Sequence, residues 1–214
     1  MSIAIAKTWA NAEVLTHTDL NAQVSDMCTN ILPAATQSEV DTGTSSTVAL
    51  VPSHNKISLA SEATTTSGTT VVWSSIPSGV RRINIMFALL STSGTSNIIV
   101  QIGDGGGIET TGYTGSATTI ASATPSTANF TTGFGVTNAI SAASILSGTI
   151  TLSLEDASDF TWTATGLLAS SNATTIHLSA GSKALSAELT QVQITTVGGS
   201  ETFDGGVANI SYER

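Results

Sequence analysis

"RRINIMFALLS", residues 81–91, decides the fold. Ile83, Ile85, Phe87 and Leu89 fall at every second position, and "GTITLSLED", residues 148–156, repeats the pattern with Ile150, Leu152 and Leu154. Successive side chains of a strand point to opposite faces, so each run gathers its large apolar groups on one side. That is the pattern of an antiparallel sheet with one buried face.

The same period holds on both sides of these runs. "NKISLASEA" (55–63), "GTTVVWSSI" (68–76), "NIIVQIGD" (97–104), "FTTGFGVT" (130–137), "TIHLSAG" (175–181), "ELTQVQITTV" (188–197) and "GVANISYE" (206–213) read as further strands, with Gly, Pro, Ser and Asn in the gaps. No helical period interrupts them. The body from residue 45 to 214 is therefore expected to be mainly β, an antiparallel β-sandwich of jelly-roll-like kind, with Trp73, Phe87, Phe130, Phe134 and Trp162 as its core aromatics. The closing stretch "VQITTVGGSETFDGGVANISYER" (192–214) reads as a wide hairpin: Val192, Ile194 and Thr196 share one face of its first arm, and Ala208, Ile210 and Tyr212 one face of its second.

One helix is expected near the front, over residues 16–32 of "THTDLNAQVSDMCTNILPA" (16–34). Thr16 or Thr18 can cap it, Asp19 suits its first turn and Pro33 stops it. Leu20, Val24, Met27 and Ile31 form a narrow apolar stripe, widened by Cys28 and Leu32. A helix so short needs a packing partner: its own body, a sister chain or another protein. Trp9, just before it, lies in an extended apolar stretch suited to anchoring. Residues 1–44 thus read as a docking segment, helix and linker ahead of the β body.

Composition narrows the function. Only 10% of the 214 residues are charged, against about a quarter in an average globular protein. The formal net charge is −9, and a surface this poor in charge is at ease inside a large assembly. The six basic residues, Lys7, Lys56, Arg81, Arg82, Lys183 and Arg214, are scattered, which argues against a direct nucleic-acid role. Cys28 is the single cysteine, so neither an internal disulfide nor a cysteine-built metal site is available. No run approaches the ~20 apolar residues of a membrane span, and the first residues lack the pattern of a secretory signal. These features point to assembly in a cytoplasm.

The motifs that carry chemistry elsewhere are weak here. "IGDGGGIETTG" (102–112) has Ile108 where the dinucleotide fingerprint needs its third glycine, so it reads as a strand-to-loop turn; Asp104 and Glu109 lack the spacing of calcium loops. "SHNK" (53–56) has a serine–lysine spacing, but Pro52 and the following "ISLA" favour extended chain over the helix that chemistry requires. His17, His54 and His177 have no metal spacing, and His177, between Ile176 and Leu178, is expected to face solvent. Glu155, Asp156 and Asp159 in "LEDASDF" cluster as acidic turn residues do, although a sugar-cleaving enzyme would also need a carboxylate pair. No catalytic, cofactor-binding or metal residue is assigned.

Four segments carry a resemblance: "TWANAEVLTHTDLNAQ" (8–23), "ATQSEVDTGTSSTVALVP" (35–52), the long stretch from Thr69 to Tyr113, and "ELTQVQITTVGGSETFDGGVANISYE" (188–213). Together they resemble virion proteins of tailed bacteriophages, chiefly tail fibres and related appendages, with the likeness weakest over 114–147. The resemblance implies an N-terminal segment docked on other virion proteins, with Trp9, Leu20, Val24, Met27 and Ile31 as its docking and oligomer residues, and a displayed β head, typically trimeric. It implies no enzyme activity and no cofactor. Long fibres have repetitive shafts and this chain has none, so the expectation is a short fibre or fibre tip on the phage particle surface, attaching to a host glycan or protein. Tyr113 and Asn172 are residue types that sugar binding uses, although the sequence assigns no binding residue. The alternatives are a capsid or neck decoration protein that touches only other virion proteins and, third, a polysaccharide depolymerase.

Overall fold

The computed structural model describes residues 57–122 and 124–214 and, ahead of them, Thr18, which has helical backbone and is exposed. Trp9, Leu20, Val24, Met27 and Ile31 lie outside the described residues, as do His17 and the "SHNK" stretch, Ser53 to Lys56. The unit Ile57–Arg214 is all β.

Two antiparallel sheets form a sandwich. The larger contains β1 (Ser58–Leu59), β2 (Ala63–Thr64), β4 (Arg82–Thr92), β7 (Thr114–Ala121), β8 (Thr124–Phe130), β10 (Leu146–Asp156), β11 (Thr161–Ser170), β12 (Thr175–Ala184) and β14 (Phe203–Glu213). Its order is β1-β14-β4-β10-β11-β12-β7-β8, and β2 also pairs with β14. The smaller contains β3 (Thr70–Trp73), β5 (Ile98–Asp104), β6 (Gly107–Ile108), β9 (Phe134–Gly135) and β13 (Gln191–Thr196), in the order β3-β13-β5-β6 with β9 on β5.

The alternation in the sequence explains the core. Ile83, Ile85 and Phe87 of β4 and Ile150 and Leu152 of β10 pack in one buried cluster with Val100 and Ile102 of β5 and Val192 and Ile194 of β13. All five expected core aromatics are buried. Burial of a large apolar side chain contributes about 1.5–3 kcal/mol, so this cluster is the main source of stability. β7 and β8 came as additions, because "TGSATTIA" and "TPSTANF" are built from small residues and carry almost no apolar period. They pair through close backbones and hydroxyls, with Thr118 and Thr127 oxygens 2.8 Å apart across the two strands.

Two expectations are corrected. Leu89 does not continue the buried face: it is 58% exposed, and Leu90 takes the core position. Three residues of β4 are spanned by two of each neighbour at this point, with Leu90 opposite Leu146 and Phe87 opposite Gly148 on one side, Ser91 opposite Gly205 and Ala88 opposite Val207 on the other. The extra residue is a β-bulge, and one inserted residue reverses the inside–outside phase of everything after it. Leu89 adopts φ +58°, and its N–H donates to Ser147 Oγ at 3.0 Å.

The closing stretch is not a hairpin. β13 lies between β3 and β5 in the small sheet, while β14 lies between β1 and β4 in the large one. Both arms bury the faces expected of them, Tyr212 only in part, but they do so from opposite sides of the core, so they face each other rather than pair. The connection between them is tied down by Glu201, whose two carboxylate oxygens accept the N–H groups of Thr95 and Ser96, each at 2.9 Å.

Candidate functional site

The outer face of the small sheet carries a polar cleft. In β13 the residues that alternate with Val192 and Ile194 are Gln191, Gln193 and Thr195, so burying the apolar set turns these to the other face of the sheet, where Gln191 and Gln193 are half-buried and Thr195 is buried. The register places Gln193 beside Gln101 of β5 and Thr195 beside Thr70 of β3. Around this floor stand Thr110, Thr111, Thr132 and the turn Val197 to Gly199, bordering an open groove of about 480 Å³. Threonine, glutamine, valine and glycine line it throughout, without a charged side chain.

The floor is pre-organised. Gln101 is 5% exposed; its Nε2 donates to the Thr132 carbonyl at 2.7 Å, and its Oε1 accepts from Gln193 Nε2 at 2.9 Å. Thr195 Oγ1 donates to the Thr69 carbonyl at 2.9 Å. A buried amide bonded at both ends holds its neighbour in one orientation, and Gln193 is left with its carbonyl and second N–H at the cleft.

Beside the cleft the glycine motif forms the turn expected of it. β5 and β6 pair, with Gly103 opposite Ile108 and Asp104 opposite Gly107, and Asp104 Oδ1 accepts the Gly106 N–H at 2.7 Å. The other Asp104 oxygen accepts from Ser186 Oγ at 2.6 Å, and these bonds hold its carboxyl below the usual range. Glu109 forms an ion pair with Lys183 and accepts the Ser186 N–H at 2.9 Å. Burial pushes the Glu109 carboxyl up, but the Lys183 ammonium and the Ser186 bonds outweigh it and leave it lowered. Lys183 Nζ also donates to the Ala184 carbonyl at 2.5 Å. The two carboxylates are thus committed to protein donors, which fasten the glycine turn to the segment between β12 and β13.

Tyr113 belongs to this scaffold and not to a binding loop. It is 2% exposed, stands edge-on to Phe134 at 5.0 Å, and its hydroxyl accepts the Ile102 N–H at 2.8 Å. Burial holds its phenol well above the usual range, so it stays neutral. Asn172 is exposed, but its amide closes a loop by accepting the Ile145 N–H at 3.1 Å and donating to the Ala143 carbonyl.

His177 is also corrected: it is 1% exposed, because Ile176 and Leu178 take the outward positions of β12. Its Nδ1 lies 3.0 Å from Thr119 Oγ1, and Nε2 is enclosed without a hydrogen-bond partner. Burial lowers its pKa, so the ring is neutral at pH 7. Asp156 accepts both the N–H and hydroxyl of Ser158, bonds that lower its pKa, and Asp159 accepts the Thr161 hydroxyl at 2.7 Å. Each carboxylate serves its own turn. Among the described residues no three His, Cys, Asp or Glu side chains gather as a metal site.

The sequence reading missed Gln101, Gln193, Thr70 and Thr195. The signal was present in "QVQITT", whose polar residues hold the phase opposite its core residues. The fold and the cleft together define a charge-poor β-sandwich with a neutral surface site. Comparison with protein-family models, curated proteins and solved structures finds no match for the chain.

Proposed function

We propose that this chain is a structural protein of a tailed-phage virion, a short trimeric tail fibre or fibre tip that displays its β-sandwich on the particle surface for attachment to the host. The carrying observation is a neutral, pre-organised cleft on a body whose buried Lys, His and carboxylate groups are occupied in holding the fold. Such a body suits recognition better than catalysis. Three copies on one particle would turn weak single contacts into durable attachment. The resemblance of residues 8–23, 35–52, 69–113 and 188–213 to phage appendages supports the virion setting, in which residues 1–44 dock on other virion proteins after assembly in the host cytoplasm.

The outer face of the large sheet favours a subunit contact. Leu167 pairs with Leu178 and Ile176 with Ile120 across β11, β12 and β7, and all four are exposed. A contiguous aliphatic row on an outer sheet face is the kind of surface that another chain covers. That observation serves equally the second reading, a decoration or connector protein that contacts only virion components. Competition separates the two: the purified chain should block phage adsorption in a saturable manner if it attaches to the host. Absence of any block at saturation would favour decoration, and release of reducing sugar from host polysaccharide would favour a depolymerase.

A further inference from the structure

We infer that the cleft over Gln101 and Gln193 binds an uncharged saccharide, so that a neutral host glycan is the ligand of the attachment reading on which this inference rests. The argument begins with what the lining can recognise. The free carbonyl and second N–H of Gln193 and the hydroxyls of Thr70, Thr110, Thr111 and Thr132 offer donors and acceptors in one small space, over a floor fixed by Gln101 and Thr195. A polyhydroxylated ligand matches such a set, because each of its hydroxyls both donates and accepts. The groove of about 480 Å³ falls within the roughly 300–1,000 Å³ typical of small-molecule sites.

The lining also excludes other classes. No cation faces the cleft, and a formal net charge of −9 repels anions, so phosphorylated, sulfated and carboxylated ligands are disfavoured. Glu109 and Glu201, the charged residues nearest in sequence to the rim, are turned to Lys183 with Ser186 and to the Thr95 and Ser96 N–H groups. No aromatic side chain is present on which a nucleobase would stack. An extended peptide would add to a sheet edge, whereas this cleft lies on a sheet face.

Apolar contact is available in the amount a sugar ring needs. Val197 lines the cleft and Val72 pairs with Gln193 in the β3–β13 register; both are about half exposed. The C–H faces of a pyranose can rest on these valines while its hydroxyls meet the amides. Pre-organisation lowers the ordering cost of binding, since Gln101 is already bonded at both ends. With two valines and no aromatic platform, single-site affinity should lie in the millimolar range, which trimeric display would raise.

The test is a titration of the ¹⁵N-labelled full chain with glucose, galactose and N-acetylglucosamine and their short oligomers, against glucuronic acid and N-acetylneuraminic acid as anionic probes. At least one neutral probe should shift the side-chain amide signals of Gln101 and Gln193 and the backbone N–H signals of 197–199 in a saturable manner. Gln193→Ala should weaken that binding tenfold or more, with some loss of stability because it also removes the donor to the buried Gln101 Oε1. Thr111→Lys, at the exposed rim, should weaken binding as much with the unfolding midpoint unchanged, because it does not touch the floor. Shifts that map elsewhere, no response to any neutral probe at tens of millimolar, or anionic probes bound as tightly would overturn the assignment. Phage adsorption then separates the two claims. Competition equal for wild type and Gln193→Ala would sink the cleft and leave attachment standing. Saccharide binding without competition would sink attachment and leave the cleft.

Discussion

Gly206 passes directly beneath the backbone carbonyl of Leu89. A Cβ at Gly206 would lie 2.6 Å from the Ala88 carbonyl oxygen and closer still to that of Leu89, and Gly206 has φ +88°. Two irregular strands meet here, so the bulge that puts Leu89 outside depends on a partner with no side chain. Gly206→Ala should therefore destabilise the body by about 2–4 kcal/mol, through strain and a backbone clash together. Gly205→Ala is the control: its nearest neighbours would be Ser91 side-chain atoms at 3.5 Å, an ordinary contact. It should stay within about 1 kcal/mol of wild type. Urea unfolding of both variants decides the matter, and equal midpoints would contradict this account of the bulge.

The Lys183–Glu109 pair should be strongly coupled. The Lys183 side chain is 6% exposed and that of Glu109 24%, so removing the carboxylate strands an ammonium away from water. Glu109→Gln should cost about 3–5 kcal/mol, the usual penalty for leaving a buried charge unpaired. Lys183→Met should cost less, because Glu109 is partly exposed and keeps the Ser186 N–H as a donor. The double variant should recover part of the loss, and a double-mutant cycle in urea would measure the coupling. Simple additivity would show that the pair is not a unit.

Much of the fold was legible because apolar residues alternate in β4, β10 and β13, and alternation is a direct consequence of strand geometry. The bulge was not. Leu89 and Leu90 are adjacent leucines, and which of them turns inward depends on Gly148 and Gly206, far away in the chain. Strands β7 and β8 were hidden for a different reason: their residues are too small to leave an apolar trace. The final two strands looked like a hairpin because sequence shows that each buries one face but not which sheet it joins. The cleft was half legible, since the phase of "QVQITT" turns Gln193 outward. Its meeting with Gln101 needed the register of β13 on β5.

His177 should make stability depend on pH in a predictable direction. Its native pKa is lowered by burial, so below its ordinary value of about 6.5 the unfolded chain takes up a proton that the native ring resists. The contribution is whole above that value and declines as pH falls through it, with a slope approaching ~1.4 kcal/mol per pH unit for one group. Asp104 and Glu109, whose native pKa values are also lowered, add their own loss only below about pH 4, near the ordinary carboxylate range. His177→Leu should flatten the dependence between pH 6.5 and the carboxylate range. An unchanged slope in that variant would assign it to another group.

The aliphatic row on the large sheet should be an assembly surface. Leu178 is exposed and its direct neighbour Leu167 is exposed too, so a charge placed there costs the monomer little. Leu178→Asp should keep the unfolding midpoint of the isolated body yet move the sedimenting species from the proposed trimer toward monomer. A trimer that persists unchanged would place the subunit contact elsewhere.

The two ends of the chain should differ in what their removal does. β14 lies between β1 and β4 and also pairs with β2, and it carries Ala208 and Ile210, each 1% exposed, into the main core. Deleting Val207–Arg214 would open the β4 edge and expose Ile83, Ile85 and Phe87 from one side. Several buried side chains at about 1.5–3 kcal/mol each exceed much of the 5–15 kcal/mol by which a domain is stable. The truncated chain should therefore lack cooperative thermal unfolding and bind a hydrophobic dye. A chain that starts at Ile57 keeps every strand of the body and should melt cooperatively, while losing the docking proposed for residues 1–44. If removal of the first 56 residues abolished the melting transition, those residues would be part of the fold and not its attachment.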